Sequence, residues 1–462
     1  MGIQFCASVG ALAFLSCVAG LGLLQAGSAP KTSGSTITVY SATSGASYEG
    51  PGQLVETSPG TFATVGIHGN PSAYLLTRQG AVTSLYTFPA GLVPTQPLVQ
   101  AVNGRVYGYQ QSIHPNTQSN FSFGLTGGFQ AYPLTLPVVS YLSIQLPNGE
   151  LYGTQWNYYG NNAFFRMTLG GAMSVIHNFT AQEGVPFALP ILGSDGNFYG
   201  ISGVRSSSAA ITQGMVYRIA PGGNLKILAS YPDGRPGPAY PPGTYPETLL
   251  QADNGKLYGT AALGGKNSAG AIFELSLSGT LKTLYQFPNY ANGVPEFLVQ
   301  GTDGNLYGAA QGIATLGGAS SLFRITPAGQ FQTMQVLNGG TVGDCPCRLT
   351  VGSDGKFYGT TLDNGPGGGG VAWVWDLGLP PPQPKVTGVV PTAGATGATV
   401  IVNGKFLLGA VAVSFNGTPA TTFSNISANY VSVTVPAGAT TGPITVTTPN
   451  GSSTSTGVFT VE

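Results

Sequence analysis

The phrase Asp303-Gly304-Asn305-Leu306-Tyr307-Gly308 decides the fold of this chain, because close variants of it recur along most of the sequence. The other clear copies begin at Asn103, Asn148, Asp195, Asn254 and Asp354, and a degenerate copy, Pro59-Gly60-Thr61-Phe62-Ala63-Thr64, precedes them. The steps between the seven copies, counted at the tyrosine or its equivalent Ala63, are 44, 45, 47, 59, 49 and 51 residues. Self-similarity at such a period indicates a repeat architecture.

Four short strands are predicted in each repeat. In the clearest unit, β-branched and aromatic runs bounded by Gly, Asn, Asp or Pro lie at 246–251, 256–261, 271–275 and 281–287. Such runs, separated by turn residues, are typical of consecutive β-hairpins. Four strands in a repeat of about 45 to 50 residues predict the blade of a β-propeller.

The two ends of the repeat array predict how the ring closes. The seventh unit has strand runs at 348–351, 356–361 and 371–377 and then meets Pro380-Pro381-Pro382, so its fourth strand is missing. The orphan run Thr36-Ile37-Thr38-Val39-Tyr40 resembles the fourth strand of other units. We therefore expect an all-β fold in which residues 36–377 form a seven-bladed β-propeller. Its N-terminal strand completes the last blade and leaves no free sheet edge.

A second domain is predicted beyond a Pro-rich linker at 378–384. Apolar residues alternate with polar ones in short runs such as Val431-Ser432-Val433-Thr434-Val435. Turn residues recur about every 8 to 12 positions. This pattern predicts a small immunoglobulin-like β-sandwich over residues 385–462.

Both parts resemble known families. The repeat is similar to the GloVer tandem-repeat family in the Asp-Gly-x-Leu-Tyr-Gly phrase, in Gly-x-x-Phe-Glu-Leu at 270–275 and in Leu-x-x-Leu-Tyr-x-Phe at 281–287. This resemblance covers about residues 36–377; it implies an exported bacterial protein with a propeller-like body and no established activity. Residues 385–462 resemble an IPT/TIG immunoglobulin-like domain, which in exported bacterial proteins usually serves as a spacer or adhesion module.

The charge balance excludes two classes of partner. Charged residues make up 7% of the chain and the formal net charge is zero. Nucleic acid requires a basic footprint that this chain lacks, so we expect no nucleic-acid partner. The same balance argues against binding to an anionic membrane surface.

The N-terminal segment predicts export. Residues 1–29 are apolar and end in small residues ahead of Pro30, as in a secretory signal peptide. A retained membrane anchor is the alternative, and Leu15-Ser16-Cys17 faintly resembles a lipoprotein cleavage box. No later stretch is long and apolar enough to span a bilayer. We therefore expect a monomer that is secreted or at the cell surface, without a membrane span once the signal is removed.

Few residues carry recognisable chemistry. His68, His114 and His177 fall at unrelated positions of different repeats, and no nucleophile, zinc or phosphate-binding motif accompanies them. We therefore assign no catalytic, cofactor-binding or metal-binding residue.

The repeated phrase itself has two interpretations. Asp195, Asp303 and Asp354 share one position of the repeat and could bind calcium, but Asn takes that position in other copies, which favours a turn-forming role. The repeated tyrosine could form a stacking surface for sugars, although an aromatic residue at a fixed position more often packs between blades.

Cys345-Pro346-Cys347 is the cysteine pair that remains after the predicted signal peptide. In an exported protein such a pair predicts either a small strained disulfide or two thiols. A redox or soft-metal site is less favoured, because two ligands do not complete a zinc site.

Departures from the repeat are the candidate binding residues, because they are not needed to build blades and because loops on a rigid scaffold carry function. If a binding face exists, we expect six residues near it: Trp156, Tyr158, Tyr159, Arg235, Tyr240 and Tyr245. The alternative is that these loops pack on the rim of the propeller.

The sequence is compatible with two functions. The favoured one is an exported, non-enzymatic binding, adhesion or structural protein, in which the propeller binds a glycan or a protein and the Ig-like domain is a spacer. The alternative is an extracellular propeller enzyme, a lyase or a glycoside hydrolase, that acts on a polysaccharide or a lactone. The histidines and glutamates are scattered, and a carboxylate pair for glycoside hydrolysis is not identifiable.

Overall fold

The computed structural model describes most of the chain from residue 36 onward. The described ranges are 36–40, 53–66, 71–112, 118–134, 138–146, 148–157, 160, 162–186, 188–205, 211–231, 246–262, 269–288, 294–312, 319–337, 339–363 and 370–462. Within them the regular structure is β, apart from the short helix α1 (Gly339–Val342). No helix in these ranges is long and apolar enough to cross a membrane.

The repeats form seven antiparallel sheets within the described residues, which we number in chain order. The strand β1 (Thr36–Tyr40) precedes them. Sheet 1 contains β2 (Val55–Ser58), β3 (Thr61–Val65), β4 (Ser72–Thr77) and β5 (Val82–Thr87). Sheet 2 contains β6 (Leu92–Gln100), β7 (Val106–Ser112), β8 (Ser119–Gly124) and β9 (Gly127–Pro133). Sheet 3 contains β10 (Val139–Gln145), β11 (Leu151–Trp156), β12 (Ala163–Met167) and β13 (Met173–Asn178).

The remaining sheets of the array follow the same plan. Sheet 4 contains β14 (Val185–Pro186), β15 (Ile191–Leu192), β16 (Phe198–Arg205), β17 (Ile211–Ile219) and β18 (Leu225–Tyr231). Sheet 5 contains β19 (Pro246–Gln251), β20 (Leu257–Ala261), β21 (Ala271–Leu275) and β22 (Leu281–Gln286). Sheet 6 contains β23 (Val294–Gln300), β24 (Leu306–Gln311), β25 (Ser321–Ile325) and β26 (Phe331–Val336). Sheet 7 contains β27 (Asp344–Pro346), β28 (Thr350–Val351), β29 (Phe357–Asp363) and β30 (Ala372–Asp376).

The repeated phrase forms the turn between the first two strands of a sheet. In sheet 4, Asp195 Oδ1 accepts a hydrogen bond from Asn197 N at 3.2 Å, which is an Asx turn. The next residue, Gly196, has φ 79°, a conformation that residues with a Cβ rarely adopt. Tyr199 is the second residue of the buried strand that follows, and its hydroxyl donates to Asp195 Oδ2 at 2.8 Å.

Each sheet packs on the next through a hydrophobic cluster, and from sheet 2 onward that cluster includes the repeated tyrosine. Tyr258 of sheet 5, for example, packs with Leu306 and Phe323 of sheet 6. The six tyrosines are buried: Tyr107, Tyr152, Tyr199, Tyr258, Tyr307 and Tyr358. The packing interpretation of this aromatic is therefore confirmed.

The glycine after the tyrosine is required by close packing. A Cβ on Gly259 would lie 2.2 Å from Phe273 Cζ on the third strand and 2.7 Å from Thr248 O on the first strand. The first strand approaches at this point because its register shifts between Pro246 and Thr248. The Tyr-Gly pair therefore combines an aromatic that fills the gap between sheets with a residue that leaves room inside the sheet.

A further repeated residue links neighbouring sheets by hydrogen bonds, and sequence reasoning missed it. The residue four positions before the turn glycine is often Gln. Gln145 Oε1 accepts from Val102 N of sheet 2 at 2.6 Å, and Gln251 Oε1 accepts from Ser194 N of sheet 4 at 2.7 Å. Gln300 Oε1 accepts from Asp253 N of sheet 5 at 2.9 Å. We call this bond the glutamine link.

The ring closes through β1, as the sequence predicted. β1 pairs antiparallel with β30 and becomes the outermost strand of sheet 7. Ile37 and Val39 pack against the cluster that holds Trp373 and Trp375. Sheet 7 then packs on sheet 1, where the rings of Tyr358 and Phe62 lie 4.3 Å apart.

At the seam between sheets 7 and 1, an acidic residue replaces the glutamine. Glu56 Oε2 accepts from Ser353 N at 2.7 Å, so the link is preserved. Glu56 Oε1 also lies 3.1 Å from Arg78 Nη2, and Arg78 Nε lies 3.4 Å from Asp354 Oδ2. At the seam, the ion pairs of Arg78 therefore add to the hydrogen bond that replaces the glutamine link.

The C-terminal part is a β-sandwich with its own core. One sheet contains β31 (Lys385–Val390), β33 (Thr399–Lys405), β37 (Tyr430–Thr434) and β36 (Phe423–Ser427). The other contains β35 (Thr418–Pro419), β34 (Ala412–Phe415), β38 (Ile444–Thr448) and β39 (Gly451–Thr454), while β32 (Ala393–Gly394) pairs in parallel with β40 (Thr460–Val461). Alternate residues of both sheets, such as Val402, Phe415 and Val446, form the buried core. The predicted fold class, an all-β propeller followed by an Ig-like sandwich, is confirmed.

Candidate functional site

The antiparallel order of each sheet gives the propeller two faces. The turns of the repeated phrase, from Gly60 to Gly355, lie on one side of the ring, which we call the turn face. Because neighbouring strands run in opposite directions, the connections from the second to the third strand lie on the other side. The connections from one sheet to the next lie there too. We call that side the loop face.

Of the six candidate residues, the structure describes Trp156 alone. Trp156 is the last residue of β11. Tyr158 and Tyr159 follow it, between β11 and β12, and lie outside the described residues. Arg235, Tyr240 and Tyr245 belong to the connection from β18 to β19 and are also outside the described residues. Their grouping at one site therefore stays a prediction.

Trp156 itself is an interior residue. Its side chain is 4% exposed and packs with Tyr141 of sheet 3 and with Val185 and Leu189 near the start of sheet 4. An indole in this position fills the junction between two sheets. Its structural effect is to fix the start of the connection that carries Tyr158 and Tyr159.

Two more aromatic residues extend this junction toward sheet 2. The rings of Tyr109 and Tyr141 lie 6.4 Å apart and are nearly perpendicular. Tyr109 OH donates to Val138 O at 3.1 Å. Burial raises the pKa of both phenols well above the ordinary value, so both stay neutral and serve as packing groups.

An imidazole–carboxylate pair lies at the end of β13, also toward the loop face. His177 Nε2 and Glu183 Oε2 are 3.1 Å apart. Thr180 N and Thr180 Oγ1 donate to the same oxygen at 2.8 and 3.0 Å. Burial acts to raise the pKa of Glu183, but the hydrogen bonds from Thr180 and His177 outweigh it and leave that pKa below its usual value.

The His177–Glu183 pair had a sequence signal that was not used. His177 stands where other repeats have Tyr86 or Tyr285, so it departs from the repeat as the six candidates do. The pair fixes the start of the connection to sheet 4. Among the described residues, no third His, Cys, Asp or Glu joins it or any other cluster to form a metal-binding group.

The repeated aspartates are engaged in the turns. Asp303 Oδ1 accepts from Asn305 N at 3.1 Å, and Oδ2 accepts from Tyr307 OH at 2.8 Å and from Asn305 Nδ2 at 2.6 Å. At Asp195, burial opposes ionisation, yet hydrogen bonds from Asn197 and Tyr199 hold the pKa of the carboxyl below its usual value. These contacts support the turn-forming interpretation of the aspartates over the calcium interpretation.

The Cys-Pro-Cys segment is held in sheet 7 by hydrogen bonds. Cys347 is buried, and its Sγ lies 4.0 Å from Cys345 O. Sheet pairing holds both residues in place, because β27 pairs with β29 and Cys347 N donates to Thr360 O at 2.7 Å. The small disulfide or pair of thiols expected at Cys345 and Cys347 stays a prediction.

Comparison with known proteins identifies both parts of the chain. A family model described as the Gloeobacter/Verrucomicrobia repeat matches residues 140–373, and the IPT/TIG domain model matches residues 384–461. A comparison with curated protein sequences gave no match.

Solved structures with similarity to the chain include several enzymes. A puromycin hydrolase is 14% identical with a TM-score of 0.47, covering 77% of this chain and 58% of its own. A fungal alcohol oxidase in complex with copper is 10% identical with a TM-score of 0.47, covering 92% and 98%. A luciferin-regenerating enzyme is 12% identical with a TM-score of 0.43, covering 62% and 92%. At these identities, nothing about activity carries over to this chain.

Proposed function

Because the chain belongs to the Gloeobacter/Verrucomicrobia repeat family and ends in an IPT/TIG domain, we propose that it is an exported, non-enzymatic binding protein. The loop face of the propeller holds the ligand, and the ligand is a neutral glycan or a protein. The IPT/TIG domain supports the propeller as a spacer or adhesion element.

The observation that carries this proposal is how the repeated residues are used. The turn aspartates, the tyrosines, the glycines and the glutamine link serve the scaffold, as Asp303, Gly259 and Gln251 illustrate. Five of the six departures from the repeat fall between strands along the chain and lie outside the described residues, and we expect them on the loop face. A rigid ring that presents variable connections on one side is suited to binding.

The low charge of the chain supports a neutral ligand. Charged residues are 7% of the sequence, and several of those on the propeller are already paired, including Arg166 with Glu150 and Lys256 with Glu274. Recognition of a neutral glycan by aromatic stacking and hydroxyl contacts needs no charge. Tyr158 and Tyr240 are the residues that we expect to stack on sugar rings.

The test is a glycan array probed with the mature protein, residues 30–462, beside the double variant Tyr158→Ala, Tyr240→Ala. We expect the protein to bind neutral oligosaccharides and the variant to lose about tenfold or more in affinity, since stacking on an aromatic residue contributes roughly 1–3 kcal/mol. Val175→Ala is the control, because Val175 is 52% exposed on the outermost strand of sheet 3, away from the connections.

Two results would overturn the proposal. The first is turnover of a polysaccharide or a lactone by the purified protein, which would make it an enzyme. The second is glycan binding that the double variant retains in full while Val175→Ala abolishes it, which would place the ligand at the outer strands.

A further inference from the structure

The C-terminal domain contacts the propeller at several sheets of the ring. Tyr430 OH donates to Gln145 O of sheet 3. Asn450 Nδ2 donates to Ser353 O of sheet 7 at 2.7 Å. The linker joins in at sheet 6, where Thr302 Oγ1 donates to Pro380 O at 2.9 Å.

Sheet 1 is also part of this interface. β36 of the sandwich lies against β2. A Cβ on Gly409 would lie 3.1 Å from Pro59 Cγ, so the backbone at Gly409 lies close to the Pro59 ring.

All of these propeller residues lie on the turn face. Gln145, Thr302 and Ser353 come immediately before or within turns of the repeated phrase, and Pro59 belongs to its degenerate copy. In ring order, sheets 6, 7 and 1 are consecutive, while sheet 3 lies on the far side of the ring axis. A body that contacts both groups must extend across the mouth of the ring.

One end of the sandwich contacts the turn face. Its contacting residues come from neighbouring connections: Gly409 lies between β33 and β34, Tyr430 follows the turn after β36, and Asn450 lies in the turn between β38 and β39. Antiparallel pairing places these three connections at the same end of the sandwich.

The contacts are made by neutral groups that are held in place on both sides. Tyr430 is 6% exposed, and burial raises the pKa of its phenol, so the hydroxyl remains a donor at any ordinary pH. Ser353, whose carbonyl accepts from Asn450, is itself held by Glu56 through its backbone N at 2.7 Å and its hydroxyl at 2.9 Å. The sandwich therefore docks on the seam that closes the ring.

We propose that the C-terminal domain is a fixed cap on the turn face, which closes that mouth of the ring and braces its seam. This goes beyond a spacer role, since a spacer only separates the propeller from whatever follows. With the cap in place, a ligand reaches the propeller from the loop face. This proposal holds whichever ligand the loop face binds.

The test uses the full mature chain and the double variant Tyr430→Phe, Asn450→Ala, which removes the two direct hydrogen bonds and keeps the aromatic ring. Small-angle scattering should show one rigid particle for the original chain and a larger radius of gyration for the variant. Hydrogen exchange at the amides of residues 145, 146, 148, 149 and 352–355 should be about tenfold faster in the variant. Thr454→Val is the control, because Thr454 bonds Thr445 on the neighbouring strand β38 and makes none of the propeller contacts described above.

The proposal is overturned if the original chain already scatters as two bodies on a flexible tether, or if exchange at those amides is the same in both proteins. If the double variant loses the fold of the sandwich by circular dichroism, Asn450→Ala alone is measured in the same way. Unchanged exchange at 352–355 in a folded Asn450→Ala protein would also overturn it.

Discussion

At the scale of the residue, the repeated phrase acts as one unit of packing and hydrogen bonding. Its Asx residue forms the turn and binds the hydroxyl of the tyrosine, as Asn254 does for Tyr258 at 2.8 Å. The tyrosine fills the gap to the next sheet, and the glycine after it admits the aromatic residue of the third strand. The turn and the packing aromatic could be predicted from the sequence. The reason for the glycine could not, because it depends on Phe273 and Thr248, which are distant along the chain.

Replacing Gly259 by Ala tests this packing. We expect a loss of about 1–3 kcal/mol in the free energy of unfolding, because the added methyl overlaps a ring and a carbonyl that are both fixed by the sheet. Urea denaturation measures it. Gly222→Ala is the matched control, since a Cβ at Gly222 meets nothing within 4 Å. Equal stability of the two variants would contradict the packing role.

At the scale of the element, strands were easier to predict than the bonds between sheets. The fourth strand expected at 281–287 is observed as Leu281–Gln286, and the closing strand pairs as expected. The glutamine link was missed because it joins residues in different repeats, such as Gln300 and Asp253. The first strand of sheet 7, expected at 348–351, is divided into β27 and β28, and that of sheet 4 is divided into β14 and β15.

Glu56→Gln tests the link at the seam, because it installs the residue that other repeats carry. We expect the variant to fold with a loss of about 1–2 kcal/mol, since the bond to Ser353 N is kept and the charged contact with Arg78 is weakened. Glu56→Ala should lose about twice as much, because it also leaves Gly60 N and Ser353 N without their acceptor. Chemical denaturation of both variants measures this, and the reverse order would contradict the link.

At the scale of the whole molecule, the ring depends on many buried phenols at once. Burial raises the pKa of Tyr107 to about 12, and burial together with Asp195 raises that of Tyr199 to about 12. The sequence could predict that tyrosines pack between sheets. It could not predict the docking of the C-terminal domain, because Tyr430 and Gln145 belong to different domains and share no repeat.

These phenols predict a stability that depends on alkaline pH. A free phenol has a pKa of about 10, so above that pH the unfolded chain releases protons that the folded chain keeps. Stability should therefore be complete below pH 10 and should fall as pH rises from about 10 to 12. Urea midpoints measured from pH 8 to 11.5 would show it, with a smaller fall in Tyr199→Phe. A flat profile would contradict the prediction.

The pairing of β1 with β30 also determines when the molecule is finished. Tyr40 and Ala372 are register partners, so the ribosome must add about 330 residues before the first strand of the ring meets the last sheet. Until then β1 lacks its partner strand, and the long segment between β1 and β30 adds an entropic cost to ring closure. A chain that ends anywhere in that interval leaves β1 without β30. The pairing of β1 with β30 can therefore form only after the whole propeller has been synthesised.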